Sequence, residues 1–391
     1  MTTTTHPTRS AAKSRHPTAR PAGRKPPGRR SPTFVLLLIV VTILTLLGLV
    51  MVLSASSVSD LRSTGNSWYS FQRQCLWVLI GVGAGIVTLR VDYRAWRRWS
   101  TPVLWACLGL LGLVLVPGVG VSVNGATRWL GAGPVQIQPA EFAKLGLLVW
   151  VCDLLARRWN RMADTRATLR PALIGLGGTV LMLLAQPNLG TTIVISAAVL
   201  VVLLVAGTSL WKMAALGLLA TAGTTVLALG AGYRRDRVMA FLDPWADPLN
   251  TGYQTIQSMV GVASGGVTGV GLGASRAKWG FLPFAHTDFI FAIVAEELGL
   301  VGAGTVIVLF AALGMFGARA AMGAPDPFGM LLATGITTWL VVQAVVNLGA
   351  VLGVLPITGV PLPFVSFGGS SLVVTLAATG VLLNIARQGD L

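Results

Sequence analysis

Charged residues are scarce in this chain: 11% of its 391 residues are Asp, Glu, Lys or Arg, and only 13 are acidic. A soluble domain carries about a quarter charged residues. With 54% hydrophobic residues and a mean hydropathy of +0.75, the chain has more apolar surface than a soluble globule can cover. A bilayer can cover it, because lipid solvates apolar side chains directly. Cysteine is nearly absent. Cys75, Cys107 and Cys152 each fall in an apolar stretch and share no close spacing, which argues against a disulfide framework or a cysteine metal motif. Histidine is as rare, and His286 is the only one beyond the N-terminal tail. No internal repeat is visible, and there is no inverted pair of Gly/Pro-broken helices of the kind that marks many transporters.

The chain has long apolar runs instead. A helix needs about 20 mostly apolar residues to cross the hydrocarbon core. The runs predict spans near 33–54, 72–89, 101–118, 140–156, 171–186, 190–207, 211–232, 289–316, 328–352 and 366–386. The expected fold is an all-α polytopic membrane protein of about ten transmembrane helices, with a large extracytoplasmic loop at about 233–288 between helices 7 and 8. The fifth and sixth spans are short and separated only by Gln186-Pro187-Asn188-Leu189, so they read either as two crossings or as one re-entrant pair. The run after Pro32 exceeds a signal-peptide core of roughly 7–15 residues and should stay as the first span.

The net charge of +16 is unevenly spread. Residues 1–32 hold eight of the 29 Lys and Arg and no acid, and are rich in Pro, Thr and Ser. Such a tail should be disordered. A basic tail can meet nucleic acid or anionic lipid; here it reads as a cytoplasmic topology anchor near acidic headgroups, with no nucleic-acid partner expected. The Lys/Arg bias of the short loops fixes the expected orientation. Arg90, Arg94, Arg97, Arg98, Arg157, Arg158, Arg161, Arg166, Arg170, Lys212, Arg319 and Arg387 fall on the tail's side, against Arg62, Arg73 and Arg128 on the other. Both termini are therefore expected in the cytoplasm. The expected organisation is a tail at 1–32, a membrane domain at 33–386 and a short cytoplasmic end at 387–391.

Polar residues in or beside a membrane are costly and need a partner or a role. Glu141 and Lys144 lie three apart, on one helix face. They read as an internal salt bridge or as the charged wall of a polar cavity. Gln186-Pro187-Asn188-Leu189-Gly190 is turn chemistry. Arg234, Arg235 and Arg237 crowd one outer surface, where they are either a headgroup-facing run or phosphate ligands. The glycine-rich segment 265–278 carries Arg276 and Lys278 but lacks the Gly-Lys-Ser/Thr ending of a nucleotide loop. His286 and Asp288 enter the eighth span. Asp288 reads as a helix cap or as a general base at the membrane surface. Glu296 and Glu297, about two turns deeper, need cations, and Lys144 is a candidate. The last outer loop, 353–371, brings Ser366, Ser370 and Ser371 to the membrane edge, where hydroxyls and free N–H groups could bind sugars or phosphates.

Three strings, Asn124 to Lys144, Asp243 to Asp288 with Glu296-Glu297, and Gly359 to Ser371, resemble the SEDS family (shape, elongation, division and sporulation) of bacterial cell-wall polymerases over about 33–386. The segments Phe241 to Pro248 and Ser275 to Lys278 resemble the division-type branch, FtsW, more than the elongation-type branch, RodA. The resemblance implies a ten-helix fold and peptidoglycan glycosyltransferase activity on lipid II. It also implies a nascent glycan strand beside lipid II, and a class B penicillin-binding transpeptidase with other divisome membrane proteins as partners, at the division septum. Asp288, in His286-Thr287-Asp288-Phe289, is then the implied catalytic residue. Arg128, Arg234, Arg235, Arg237, Arg276 and Lys278 become candidates for stabilising the departing pyrophosphate, with Glu141, Lys144, His286 and the three serines as further substrate contacts. A divalent cation, Mg or Mn, is a family-level expectation with no ligand set readable in the residues; no other cofactor is expected. One departure stands out: the family usually has Asp where this chain has Asn188. A lipid II flippase and a non-catalytic divisome scaffold are the alternative readings.

Overall fold

The computed structural model describes residues 31–123, 126–132, 135–162, 164–230 and 232–389, with side chains described except at 123, 132, 135, 224, 226–229 and 232–234. The basic tail up to Arg30, together with Asn124, Gly125, Asp390 and Leu391, lies outside the described residues. The helices run α1 Pro32–Thr64, α2 Tyr69–Arg90, α3 Trp96–Val114, α4 Pro139–Arg157, α5 Leu169–Ala185, α6 Leu189–Val205, α7 Leu210–Leu229, α8 Gly232–Leu242, α9 Tyr253–Ser264, α10 Ile290–Met322, α11 Pro327–Val351 and α12 Gly369–Gln388. All of these except α8 and α9 coincide with the ten predicted spans. Five of them, α1, α2, α10, α11 and α12, are each long and apolar enough to cross a membrane by length and composition alone. The helical expectation stands, with one addition: a three-stranded antiparallel meander, β1 Gly120–Val123, β2 Ala126–Ala132 and β3 Val135–Ile137, between α3 and α4.

Local chemistry explains the helix ends. Ser31 caps α1 through its Oγ, 3.3 Å from the Phe34 N–H, with Pro32 at the first helical position. Asp326 caps α11 the same way, accepting from Gly329 N–H at 3.0 Å, ahead of Pro327. Proline suits this place because the N–H it lacks would be unpaired there anyway. Gly65 ends α1 in the left-handed region, where a glycine pays no steric penalty.

Burial decides which helices form the centre. α11 and α12 bury 72% and 78% of their most apolar stretch, whereas α2 buries 17%. The exposed side chains of the outer helices are apolar, among them Leu79, Trp105, Ile174, Leu181 and Val308. That is the pattern expected where lipid, not water, is the solvent. α5 and α6 each have 17 residues, about 26 Å at 1.5 Å per residue. Their junction meets β2 at one end of the bundle. At the other end, the residues leading into α5 and those leaving α6 line one cavity. They therefore run as two antiparallel helices between the β2 end of the bundle and the cavity end.

The two faces differ. One, here the basic face, carries the loops rich in arginine. There Asp326 accepts from Tyr93 Oη and pairs with Arg94 at 2.9 Å, tying α11 to the α2–α3 turn. Asp153 accepts from Ser100 Oγ at 2.7 Å and pairs with Arg97 at 3.0 Å and Arg157 at 2.9 Å. The other, the loop face, carries the meander, α8, α9 and the segments 265–289 and 353–368. α10 is broken at Gly299 (φ 65°, ψ −161°) near this face. The glycine-rich segment fills the break. Val270 and Gly271 donate to the Glu296 and Glu297 carbonyls at 3.0 and 3.1 Å, while Leu300 and Val301 donate to the Gly266 and Val267 carbonyls at 2.9 and 3.2 Å. The groups that a broken helix would leave unpaired in a dry interior are thereby satisfied.

Candidate active site

The chain enters α10 through Phe284 to Phe289, a turn held by Thr287 N–H and Phe289 N–H on the Phe284 carbonyl, at 3.0 and 3.3 Å. Phe284 itself has φ 57°, and Phe364 in the facing loop has φ 66°. Left-handed bulky residues persist only where their surroundings hold them. The surroundings here are the last loop. Ser366 Oγ donates to the Thr287 carbonyl at 2.6 Å and accepts from Leu362 N–H at 2.8 Å. Phe367 N–H donates to the His286 carbonyl at 3.0 Å. Asn347 Nδ2, from α11, donates to the carbonyls of Asp288 at 2.7 Å and Val360 at 2.8 Å.

Asp288 does not cap α10. The N-cap is Phe289, with no side-chain capping bond, so the capping reading of Asp288 falls away. Its carboxylate instead faces the Gly359 turn. Asp288 Oδ2 lies 3.6 Å and an Arg237 guanidinium nitrogen 4.0 Å from the point a Cβ on Gly359 would occupy. With φ +69° and no side chain, Gly359 leaves room for both groups. Burial pushes the Asp288 carboxyl up to about 6, against the opposing pull of Arg237 and Arg128. Burial also lowers the neighbouring His286, opposed by the Asp60 carboxylate.

The expected cations separate into distinct positions. Arg237, on α8, also donates to the Ile357 carbonyl at 3.1 Å, so it ties α8 to the last loop beside Asp288. Arg128, on β2, donates to the carbonyls of Gln186, at 3.1 Å, and Pro187, fastening the meander to the α5–α6 junction. Arg235 and Arg276 are exposed, and the Arg234 side chain lies outside the described residues. Lys278 is a correction to the phosphate-binding expectation. It is 7% exposed, sits 3.5 Å from Glu297 and donates to the Gly273 carbonyl. A lysine enclosed in this way serves the fold of its own loop.

Glu296 and Glu297 hold that loop. Glu296 accepts from Ser275 Oγ and from Arg276 N–H at 2.8 Å, and Glu297 accepts from Ser54 Oγ of α1 at 2.7 Å. Their expected partner, Lys144, is engaged elsewhere. It pairs with Glu141 at 2.9 Å, donates to Gln343 Oε1 at 2.8 Å and lies over the Trp339 ring. With side chains 1% and 2% exposed, this pair realises the internal salt bridge and not an open cavity wall.

The serines expected to meet substrate are turned inward. Ser366 stitches two loops together as above. Ser370 Oγ accepts from Gln138 N–H at 3.1 Å and donates to the Gln136 carbonyl at 3.3 Å. Ser371 is 9% exposed. Asn188 caps α6, its Oδ1 accepting from Thr191 N–H at 3.4 Å. A neutral amide supplies that cap as well as a carboxylate does, so the departure from the usual Asp leaves the helix start intact.

Sequence reasoning missed Gln343 and Asn347. They lie one turn apart on α11, and Gln343 Nε2 donates to the Pro361 carbonyl at 2.9 Å. Two amides at helical spacing inside an apolar span were the available signal. It also missed Asp60, whose carboxylate receives Ser70 N–H and Ser70 Oγ, both at 2.8 Å, opposite His286.

The described residues build no all-protein site for a divalent cation. Among the described residues no three His, Cys, Asp or Glu side chains come together as a ligand set. Asp288 faces two arginines, and both glutamates are occupied by protein donors.

The family model FtsW/RodA/SpoVE, described as "Cell cycle protein", matches residues 34–390. Stage V sporulation protein E of Bacillus subtilis is 43% identical over 353 residues, covering 90% of this chain and 96% of the relative. The probable peptidoglycan glycosyltransferase FtsW of Geobacter sulfurreducens is 40% identical over 354 residues, covering 90% and 95%. Among solved structures, a chain from "Structural coordination of polymerization and crosslinking by a peptidoglycan synthase complex" superposes with a TM-score of 0.73 at 35% identity, covering 90% of this chain and 96% of that one. Thermus thermophilus rod shape determining protein RodA superposes with a TM-score of 0.67 at 31% identity, covering 90% and 95%. Sequence and fold agree over the whole membrane part, and the chain belongs to the FtsW/RodA/SpoVE family of polytopic membrane proteins.

Proposed function

We propose that this chain is a peptidoglycan glycosyltransferase that polymerises lipid II into β-1,4-linked glycan at the outer face of the cytoplasmic membrane during division. The observation that carries this reading is Asp288. It is a carboxylate at the loop face that caps nothing, is raised to about 6, and stands beside Arg237 with Arg128 within electrostatic reach. A base is most useful when its pKa lies near the operating pH. The orientation follows from the arginine-rich loops of the basic face, which belong in the cytoplasm. The loop face then meets the sugar heads of lipid II while the tails stay in the bilayer. A class B penicillin-binding transpeptidase is the proposed partner, in keeping with the peptidoglycan synthase complex to which the fold is similar.

In the proposed reaction, Asp288 takes the proton from the 4-hydroxyl of the acceptor GlcNAc as that oxygen attacks C1 of the donor MurNAc. The C1–O bond to undecaprenyl pyrophosphate breaks, and the pyrophosphate leaves as an anion. One displacement inverts the α donor to a β link. Arg237 and Arg128 are the cations assigned to offset the charge developing on the leaving group, where fixed cations contribute most. The test is polymerisation of labelled lipid II by the full chain purified with its transpeptidase. Wild type should give polymer, and a folded Asp288→Asn should lose about 10²–10⁴-fold in rate, the usual contribution of a positioned base. Polymer from both would remove Asp288 as the base. Polymer from neither, with a related enzyme active in the same assay, would favour transport or scaffolding.

A further inference from the structure

The basic face holds a cavity that the polymerase reading does not use. It has a volume of about 270 Å³ and lies where the loop before α5 meets the α6–α7 turn, lined by Thr165, Thr168, Leu169, Thr208, Ser209 and Lys212 among others. Its polar lining consists of hydroxyls and one ammonium. Lys212 is exposed, and its Nζ donates to Thr165 Oγ1 at 2.5 Å. An ammonium has three donors, so two remain beyond the one given to Thr165. Among the described residues Lys212 has no carboxylate partner. Asp164, the one acid between Arg157 and Arg170, is exposed and turns its Oδ1 to Arg166 N–H at 2.9 Å and Ala167 N–H at 3.2 Å, and it makes no ion pair with Lys212. Arg161, Arg166 and Arg170 stand exposed around the same loop.

We infer that this cavity binds the phosphate headgroup of an anionic phospholipid. The volume equals about nine waters at roughly 30 Å³ each, room for a phosphate with a small hydroxylated substituent. Hydroxyls and a lysine at the mouth suit a phosphodiester, with Lys acting as a point charge. The surroundings separate a lipid from a soluble phosphate. Leu210 and Trp211, directly before Lys212, are 75% and 83% exposed, and the apolar faces of α7 (Leu218, Leu219) and α5 (Ile174, Leu181) are uncovered beyond them. An exposed tryptophan at a helix end is an interfacial anchor. The acyl chains therefore have an apolar path leading directly away from the headgroup position.

The test is native mass spectrometry of the full-length protein in neutral detergent, titrated with short-chain phosphatidylglycerol, with phosphatidylcholine as the neutral control and glycerol 1-phosphate as the soluble arm. Wild type should bind phosphatidylglycerol in preference to both. Lys212→Gln should weaken that binding about tenfold, the worth of one charge-assisted hydrogen bond, and Thr208→Val should weaken it less. Arg319→Gln, elsewhere on the same face, should leave it unchanged. Equal binding of phosphatidylcholine, saturation by glycerol phosphate at the lipid's own concentration, or full binding by both the Lys212 and Thr208 variants would overturn the inference.

Discussion

Asp288 combines a base's position with an unfavourable site for its charge, and the pH dependence follows from that balance. Its carboxyl is raised from 3.8 to about 6 by burial, with Arg237 and Arg128 acting in the opposite direction. The active form of a base is ionised, so the polymerisation rate should fall as pH drops through about 6. Replacing Arg237 by Gln removes a cation that favours the charged form, so the acid limb of the pH–rate profile should move to higher pH. An unmoved limb would show that Arg237 does not govern this carboxylate. Glu141 and Lys144 test a different point. Both are buried, so Lys144→Met alone strands a charge and should cost about 3–5 kcal/mol in stability. The double change Glu141→Leu, Lys144→Met should recover most of it. Thermal unfolding measures the stability. Polymerisation retained by the double variant would place the pair in the scaffold, as its 1–2% exposure implies.

At the scale of elements, the broken α10 organises the loop face. Gly299 sits at φ 65°, and a Cβ there would lie 2.3 Å from Gly269 N and 2.5 Å from the Val267 carbonyl oxygen, both backbone atoms. Gly299→Ala should lower the unfolding temperature by an amount matching about 1–3 kcal/mol of backbone strain. It should also reduce polymerisation, because the Glu296–Glu297 turn just before the break holds the 273–278 loop. Gly304→Ala, one turn on, meets nothing within 4 Å and should be neutral or slightly stabilising, since alanine is the better helix former. Equal effects of the two would remove the splice as a structural device. The ten apolar helices were legible in the chain because hydropathy reports lipid exposure residue by residue. The meander was not legible. Its strands have three to seven residues, too short for a periodic signal.

At the scale of the molecule, the two faces carry different chemistry, and the polymerase reading requires the loop face to be outside. In a chain with Cys75, Cys107 and Cys152 replaced, Arg276→Cys should react with a membrane-impermeant thiol reagent on intact cells. Arg166→Cys should react only after permeabilisation, and the reverse pattern would invert the proposed topology. The sequence alone determined that this is a helical membrane protein of about ten spans with an uneven distribution of cations, because bilayer thickness and charge asymmetry act on local composition. It also carried the strings that mark the family. Only the tertiary structure decided which polar residues face a ligand and which face one another. Lys278, Ser366, Ser370 and the Glu141–Lys144 pair turned out to be internal fastenings, while Asp288 caps no helix and shares the Gly359 turn with Arg237. The physical reason is that a buried polar group must find its partner wherever the fold brings one. The Glu141–Lys144 pair, three residues apart, was open to a local pattern, whereas Ser366 and Ser370 find Thr287 and Gln136 79 and 234 residues away, beyond the reach of any local pattern.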